Sequence, residues 1–295
     1  MKKTESDSIT KIISTTEIFI TQKINGYNFT RSVLIQTPPE IDSSKMYPIV
    51  FAYHGNGGRN SNWINILKKF TDNGEFIGIY PQGHKNSWNL GSESSTADDV
   101  EFTNLIIHEL KNYSNIDFEK IYAIGNSNGS GMVNKLAIET NHFKAIAPIV
   151  SQLMISMPIK KDIQPISIFQ VNGVKDNIIP INGGNGPGTH IFLDALKSAQ
   201  TWSTFFKCSK SDQKFVGENF DESGINRLYS FSNCDNQKEI LYLRIENGAH
   251  NVLRSYSNLV NEIWNFFKKI SILKFIIIEY GTNAFINFIL FINTI

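Results

Sequence analysis

Apolar and polar positions change period along this chain, and the changes mark its elements. Glu17 to Thr21 and Phe29 to Gln36 alternate as strands do around Asn25-Gly26, a strong signal for a two-residue hairpin turn, so an edge hairpin ending at Pro38-Pro39 is expected. Tyr47 to Tyr53 is a short apolar run of the kind that forms a strand buried on both faces. Asn62 to Phe70 then follows helical spacing and closes near Gly74, and Phe76 to Tyr80 reads as the next buried strand. Thr96-Ala-Asp-Asp99 reads as a capping box opening a helix to about Asn112, with Asp98 and Asp99 as caps.

The same alternation continues to the end. Ile121 to Ile124, Phe143 to Val150, Ile166 to Val171 and Glu239 to Ile245 are strand candidates. Met132 to Ile138, Thr189 to about Lys207 and residues 252 to 269 are helix candidates, and a Met-rich connection runs from Ser151 to Pro165. Short apolar strands alternating with helices predict a mainly parallel central sheet with helices on both faces. In such sheets a site lies beyond the carboxyl ends of the strands.

One of those ends carries a nucleophile. Gly125-Asn-Ser127-Asn-Gly129 follows the Ile121–Ile124 strand and opens directly into a helix. A serine on so sharp a turn is exposed in a strained backbone, the flanking glycines let strand and helix approach, and the helix start offers free N–H groups to an oxyanion. Such a serine needs a base, an orienter for the base and an oxyanion hole, each just after a strand. His250 follows the last strand and Asp176 follows Ile166–Val171. The rivals of Asp176 are less well placed, since Asp162 precedes its strand and Asp194 falls inside the predicted 189–207 helix. The order Ser127, Asp176, His250 is the nucleophile–acid–base order of α/β-hydrolases. His54-Gly-Asn-Gly-Gly58 follows the Tyr47–Tyr53 strand, so the backbone N–H of Asn128, with that of Asn56 or a neighbour, is expected to bind the oxyanion. His54 is expected to be structural, and His84, His108, His142 and His190 receive no role.

Composition excludes more than it adds. Lys and Arg number 28 against 27 Asp and Glu in 295 residues, so the charge points to no nucleic acid. No metal-ligand cluster or Walker-type phosphate loop occurs, and no cofactor is expected. Cys208 and Cys234 lack the paired spacing of a zinc site and leave either a disulfide or two thiols. Met1 to Thr15 contains no apolar stretch of signal-peptide length, so a cytoplasmic location is the first expectation.

With these residues assembled, the chain resembles the polyhydroxybutyrate depolymerase and feruloyl esterase-like family of α/β-hydrolases over roughly residues 28 to 268. The resemblance rests on Val50 to Gly58, Tyr80-Pro-Gln-Gly83 with Ser87-Trp-Asn89, Asp98 to Phe102, Ile121 to Gly131, Asp176 to Gly184 and Gly248-Ala-His250. It implies cofactor-free hydrolysis of small-molecule or polymeric esters: short acyl esters, polyhydroxyalkanoates, or acetyl and feruloyl groups on plant polysaccharide. It carries over Ser127, Asp176 and His250 as the triad and Asn56 as the first oxyanion donor. Family members often bridge cysteines near Cys208 and Cys234 and are largely exported, so secretion is the second expectation for location. Many members follow the histidine with Thr-Trp-Pro-Gly; Asn251-Val-Leu-Arg254 stands here instead and puts the acyl-side aromatic wall in question.

Residues 1 to 270 are expected to form one domain, followed by an apolar tail, 271 to 295. Lys274 and Glu279 would each cost about 2.5 to 3.5 kcal/mol near the centre of a membrane helix, so a surface-docked or poorly ordered tail is expected over a membrane anchor. A catalytically silent binding protein on the same fold and a serine peptidase are the competing readings; an intact serine, acid and histidine at strand ends favour the esterase.

Overall fold

The computed structural model describes residues 10 to 280, with side chains to residue 270. In the order in which the chain makes them, the elements are β1 (Thr16–Ile24), β2 (Tyr27–Gln36), β3 (Tyr47–Tyr53), α1 (Ile64–Asp72), β4 (Ile77–Pro81), α2 (Asp99–Leu110), β5 (Ile116–Asn126), α3 (Asn128–Glu139), β6 (Ala145–Ile149) and β7 (Ser167–Gly173). They continue as β8 (Gly184–Asn185), β9 (Ile191–Phe192), α4 (Ala195–Phe205), β10 (Lys210–Val216), β11 (Asn226–Ser232), β12 (Ile240–Ile245), α5 (Val252–Ser255) and α6 (Leu259–Tyr280).

Among the described residues ten strands form one sheet in the order β1-β2-β4-β3-β5-β6-β7-β12-β11-β10. From β4 to β12 every neighbour is parallel. An antiparallel hairpin closes each side, β1–β2 on one and β10–β11 on the other. The central runs are apolar because they are covered twice. Phe51 and Ala123 pack with Phe102 of α2, Leu136 of α3 and Trp202 of α4. Their neighbours Val50 and Tyr122 point the other way, to Leu67 of α1 and Trp264 and Phe267 of α6. The period of two within each strand thus divides one apolar run between two cores.

Several boundaries differ from the pattern, each for a local reason. The helix expected from Thr189 starts only at Ala195, because Asp194 is its N-cap and accepts the Lys197 N–H at 2.9 Å. The residues before it run extended, with Ile155 N–H donating to Ile191 O and Leu193 N–H to Leu153 O. Asp194 is therefore at the start of a helix rather than inside one. At α2 the cap is Asp98, which accepts from Glu101 N–H at 2.9 Å, while the Thr96 hydroxyl takes the Asn25 amide. Asp99 is not a cap. Its buried carboxylate pairs with Arg31 at 2.7 Å and accepts the Asn89 N–H at 2.7 Å. The stretch 252 to 269, read as one helix, is broken between Ser255 and Leu259.

Two strands, β10 and β11, lie in the polar stretch that carries no strand signal. β10 is exposed along nearly its whole length, so its sequence has no buried face to advertise. Cys208 and Cys234 are joined in a disulfide that ties the end of α4 to the turn after β11. Of the apolar tail, residues 271 to 280 continue the backbone of α6; 281 to 295 lie outside the described residues. No helix among the described residues is long and apolar enough to cross a membrane.

Candidate active site

Ser127 stands between β5 and α3 with φ 56° and ψ −120°, a conformation that costs a non-glycine residue on the order of 1–3 kcal/mol. The surroundings hold it there. Its N–H donates to Ile149 O at 2.9 Å and its carbonyl accepts from Ser130 at 2.8 Å. A Cβ at Gly125 would collide with the Gly129 carbonyl, and one at Gly129 with the Tyr53 carbonyl, so both positions flanking the serine require glycine for close approach.

The other two strand ends converge on it. Lys175 N–H donates to Gly248 O at 2.8 Å and Val174 N–H to Ile245 O at 3.0 Å, which zips the loop after β7 to the loop after β12. That places Asp176 against His250. The His250 Nδ1–H donates to Asp176 Oδ2 at 2.7 Å, and the Ser127 hydroxyl lies 2.8 Å from His250 Nε2. The second carboxylate oxygen of Asp176 accepts the N–H groups of Ile178 at 2.9 Å and Ile179 at 3.0 Å, and its side chain is only 1% exposed. A buried, fully bonded acid fixes the imidazole with Nε2 as the acceptor towards the serine.

The glycine-rich loop after β3 forms the third wall. Gly55 lies beside the nucleophile, where a Cβ would stand 3.4 Å from the Ser127 Cβ in ordinary van der Waals contact, and Asn56 lines the same cavity. His54 anchors this loop: Nδ1–H donates to Gly55 O at 2.8 Å and Nε2 accepts the Gly83 N–H at 3.0 Å. Burial lowers its pKa, consistent with a neutral ring that uses one nitrogen each way. The Trp88 indole donates to His54 O at 2.8 Å, so Ser87-Trp-Asn89 supports the loop from below. Asn128 is the first residue of α3, where backbone N–H groups have no intrahelical acceptor.

The cavity over Ser127 holds about 580 Å³. Leu90, Ile178, Ile179 and Phe192 give it an apolar side, while Glu93 and His190 give it a polar one. Neither residue of that last pair carries a role in the sequence reading. No local motif marks them, since the fold brings them together across 97 residues, with His190 Nε2 2.8 Å from Glu93 Oε1. Phe192 supplies an aromatic group to the apolar side from a segment unrelated to the one after His250. Among the described residues no His, Cys, Asp or Glu group is arranged to hold a metal ion.

The fold is that of the α/β-hydrolases, and the acetyl xylan esterase of Aspergillus awamori superposes on it with a TM-score of 0.56 at 13% identity, covering 80% of this chain and 94% of that one. Within that fold its sequence is similar to feruloyl esterases. It is 27% identical over 236 residues to feruloyl esterase B of Piromyces equi, covering 75% of this chain and 42% of that protein. It is 28% identical over 167 residues to a protein named "Probable feruloyl esterase C" from Aspergillus clavatus, covering 53% of this chain and 58% of that protein. The chain thus spans about half the length of these curated relatives. No protein-family profile matches it.

Proposed function

We propose that this chain is a carboxylic ester hydrolase that works through an acyl-enzyme on Ser127. The observation that carries this reading is the continuous line of hydrogen bonds Ser127–His250–Asp176 in a cavity open to solvent. As the Ser127 oxygen attacks the ester carbonyl, its proton passes to His250 Nε2, and Asp176 stabilises the imidazolium. The Asn128 and Asn56 backbone N–H groups stabilise the tetrahedral oxyanion, and loss of one such donor costs roughly 3 kcal/mol in comparable sites. His250 returns the proton to the leaving alcohol as the C–O bond breaks. Water, deprotonated by His250, then attacks the acyl-serine and releases the acid and free Ser127.

The feruloyl esterase relatives, together with a cavity that has both an apolar and a polar side, favour acyl groups from acetyl to aryl on small alcohols, polyhydroxyalkanoates or polysaccharide. A fluorophosphonate tests the reading. Stoichiometric labelling, with the added mass on the peptide containing Ser127 and lost in His250→Ala, is the expected result; an unlabelled Ser127 contradicts it.

A further inference from the structure

Glu93 contributes its carboxylate to four donors at once. Oε2 accepts the N–H groups of Leu90 at 2.7 Å and Ser92 at 3.1 Å, while Oε1 accepts the Asn128 Nδ2–H at 3.2 Å and His190 Nε2–H at 2.8 Å. Only a carboxylate offers acceptors in every direction. The side chain is 11% exposed and that of His190 is 9% exposed, so these bonds are made away from bulk water. Ser92 Oγ lies 2.9 Å from the same His190 nitrogen, and Gly188, at φ +67°, presses so closely on Ser92 that a Cβ there would collide with the hydroxyl. The loop before β9 is thus clamped onto the Leu90–Ser94 segment.

The clamp acts on one residue next to the nucleophile. Asn128 Oδ1 accepts the Trp88 N–H at 2.7 Å and lies 3.4 Å from the Ser87 hydroxyl, while Nδ2 donates to Trp88 O at 3.0 Å and to Glu93. Every polar position of that amide is occupied. We infer that Glu93 is a positioning residue for the oxyanion hole: by fixing the Asn128 side chain it fixes the direction of the Asn128 backbone N–H, and His190 in turn fixes Glu93. The inference rests on the ester hydrolase reading above. An oxyanion donor is useful only within tenths of an ångström of the oxygen it serves, so a side chain that does not touch the reacting atoms can govern turnover through it.

The test compares Glu93→Gln, Asn128→Ala and the double variant on p-nitrophenyl acetate, with binding of phenylboronic acid, which forms a tetrahedral adduct on the serine, as a second readout. Glu93→Gln turns an N–H₂ towards donors it cannot accept from; Asn128→Ala keeps the backbone N–H and cuts only its tether. Each single variant is expected to lose about thirtyfold or more in kcat with KM within about threefold. Boronate affinity should fall by a factor similar to the loss in kcat, and the double variant should fall no further than the worse single one, because both break one chain of contacts. Additive losses, or an effect on KM alone, overturn the inference. If Glu93→Gln does not fold, Asn128→Ala decides alone: kcat within threefold of wild type overturns it. A wild type no faster than Ser127→Ala defeats the ester hydrolase reading itself, an outcome distinct from any of these.

Discussion

Arg31 and Asp99 bring opposite charges into a place with almost no water, at side-chain exposures of 3% and 0%. Burial pushes the Asp99 carboxyl up and the Arg31 guanidinium down, each towards its neutral form, and the pair remains charged because the partners supply bonds in return. Arg31 donates to Gln22, to Gln82 O and to Asp99, and lies over the Phe102 ring at 3.5 Å. Removing one partner leaves the other charge buried alone. Arg31→Ala is expected to lower unfolding free energy by about 3–5 kcal/mol, measured by urea titration; a loss under about 1 kcal/mol contradicts that account. His54 makes the complementary case for pH. Desolvation holds its pKa below the ordinary 6.5, so above that pH neither folded nor unfolded chain protonates it and its contribution is complete. As pH falls below 6.5 the unfolded chain takes up a proton that the folded one refuses, and stability declines. The decline between pH 6.5 and 5 should be shallower in His54→Gln, and equal slopes would refute it.

At the scale of elements, what could be read from sequence follows what is buried. Runs such as Tyr47–Tyr53 and Ile121–Ile124 show themselves because both faces are covered, and Asn25-Gly26 shows itself because its φ values of 49° and 87° demand those residues. β10 does not, because an exposed edge strand needs no apolar face. The helix starts at its cap, Asp194, rather than at Thr189 because the bonds that hold residues 191 to 193 extended come from the distant segment at Leu153 and Ile155, which no local pattern announces. Glu93 and His190 were illegible for the same reason, since their bonds form only once the sheet is assembled. The Cys208–Cys234 disulfide also acts at this scale, closing a loop of 26 residues between α4 and the β11–β12 turn. In the chain-entropy picture it stabilises by about 3.5 kcal/mol, so reduction should lower the melting temperature by roughly 5–10 °C. Calorimetry with and without reductant checks this; coincident transitions contradict it.

At the scale of the whole molecule, the parallel order from β4 to β12 brings the loops after β3, β5, β7 and β12 to one edge of the sheet. Residues as distant as Asn56 and His250 line one cavity for that reason, and each contributes a different part of one proposed reaction. The antiparallel pairs at the two sides contribute no residue to that cavity. The site is thus a property of the topology as much as of any motif, and the chemistry proposed for it converges on a single atom, the Ser127 oxygen. The most direct measurement is therefore the hydrolysis of an aryl ester series, acetyl through octanoyl with methyl ferulate, by wild type and by Ser127→Ala. The account predicts a fall of about 10⁴-fold or more in kcat for every ester that the wild type accepts, with the remainder due to the oxyanion hole and binding. Equal rates in the two proteins would contradict it.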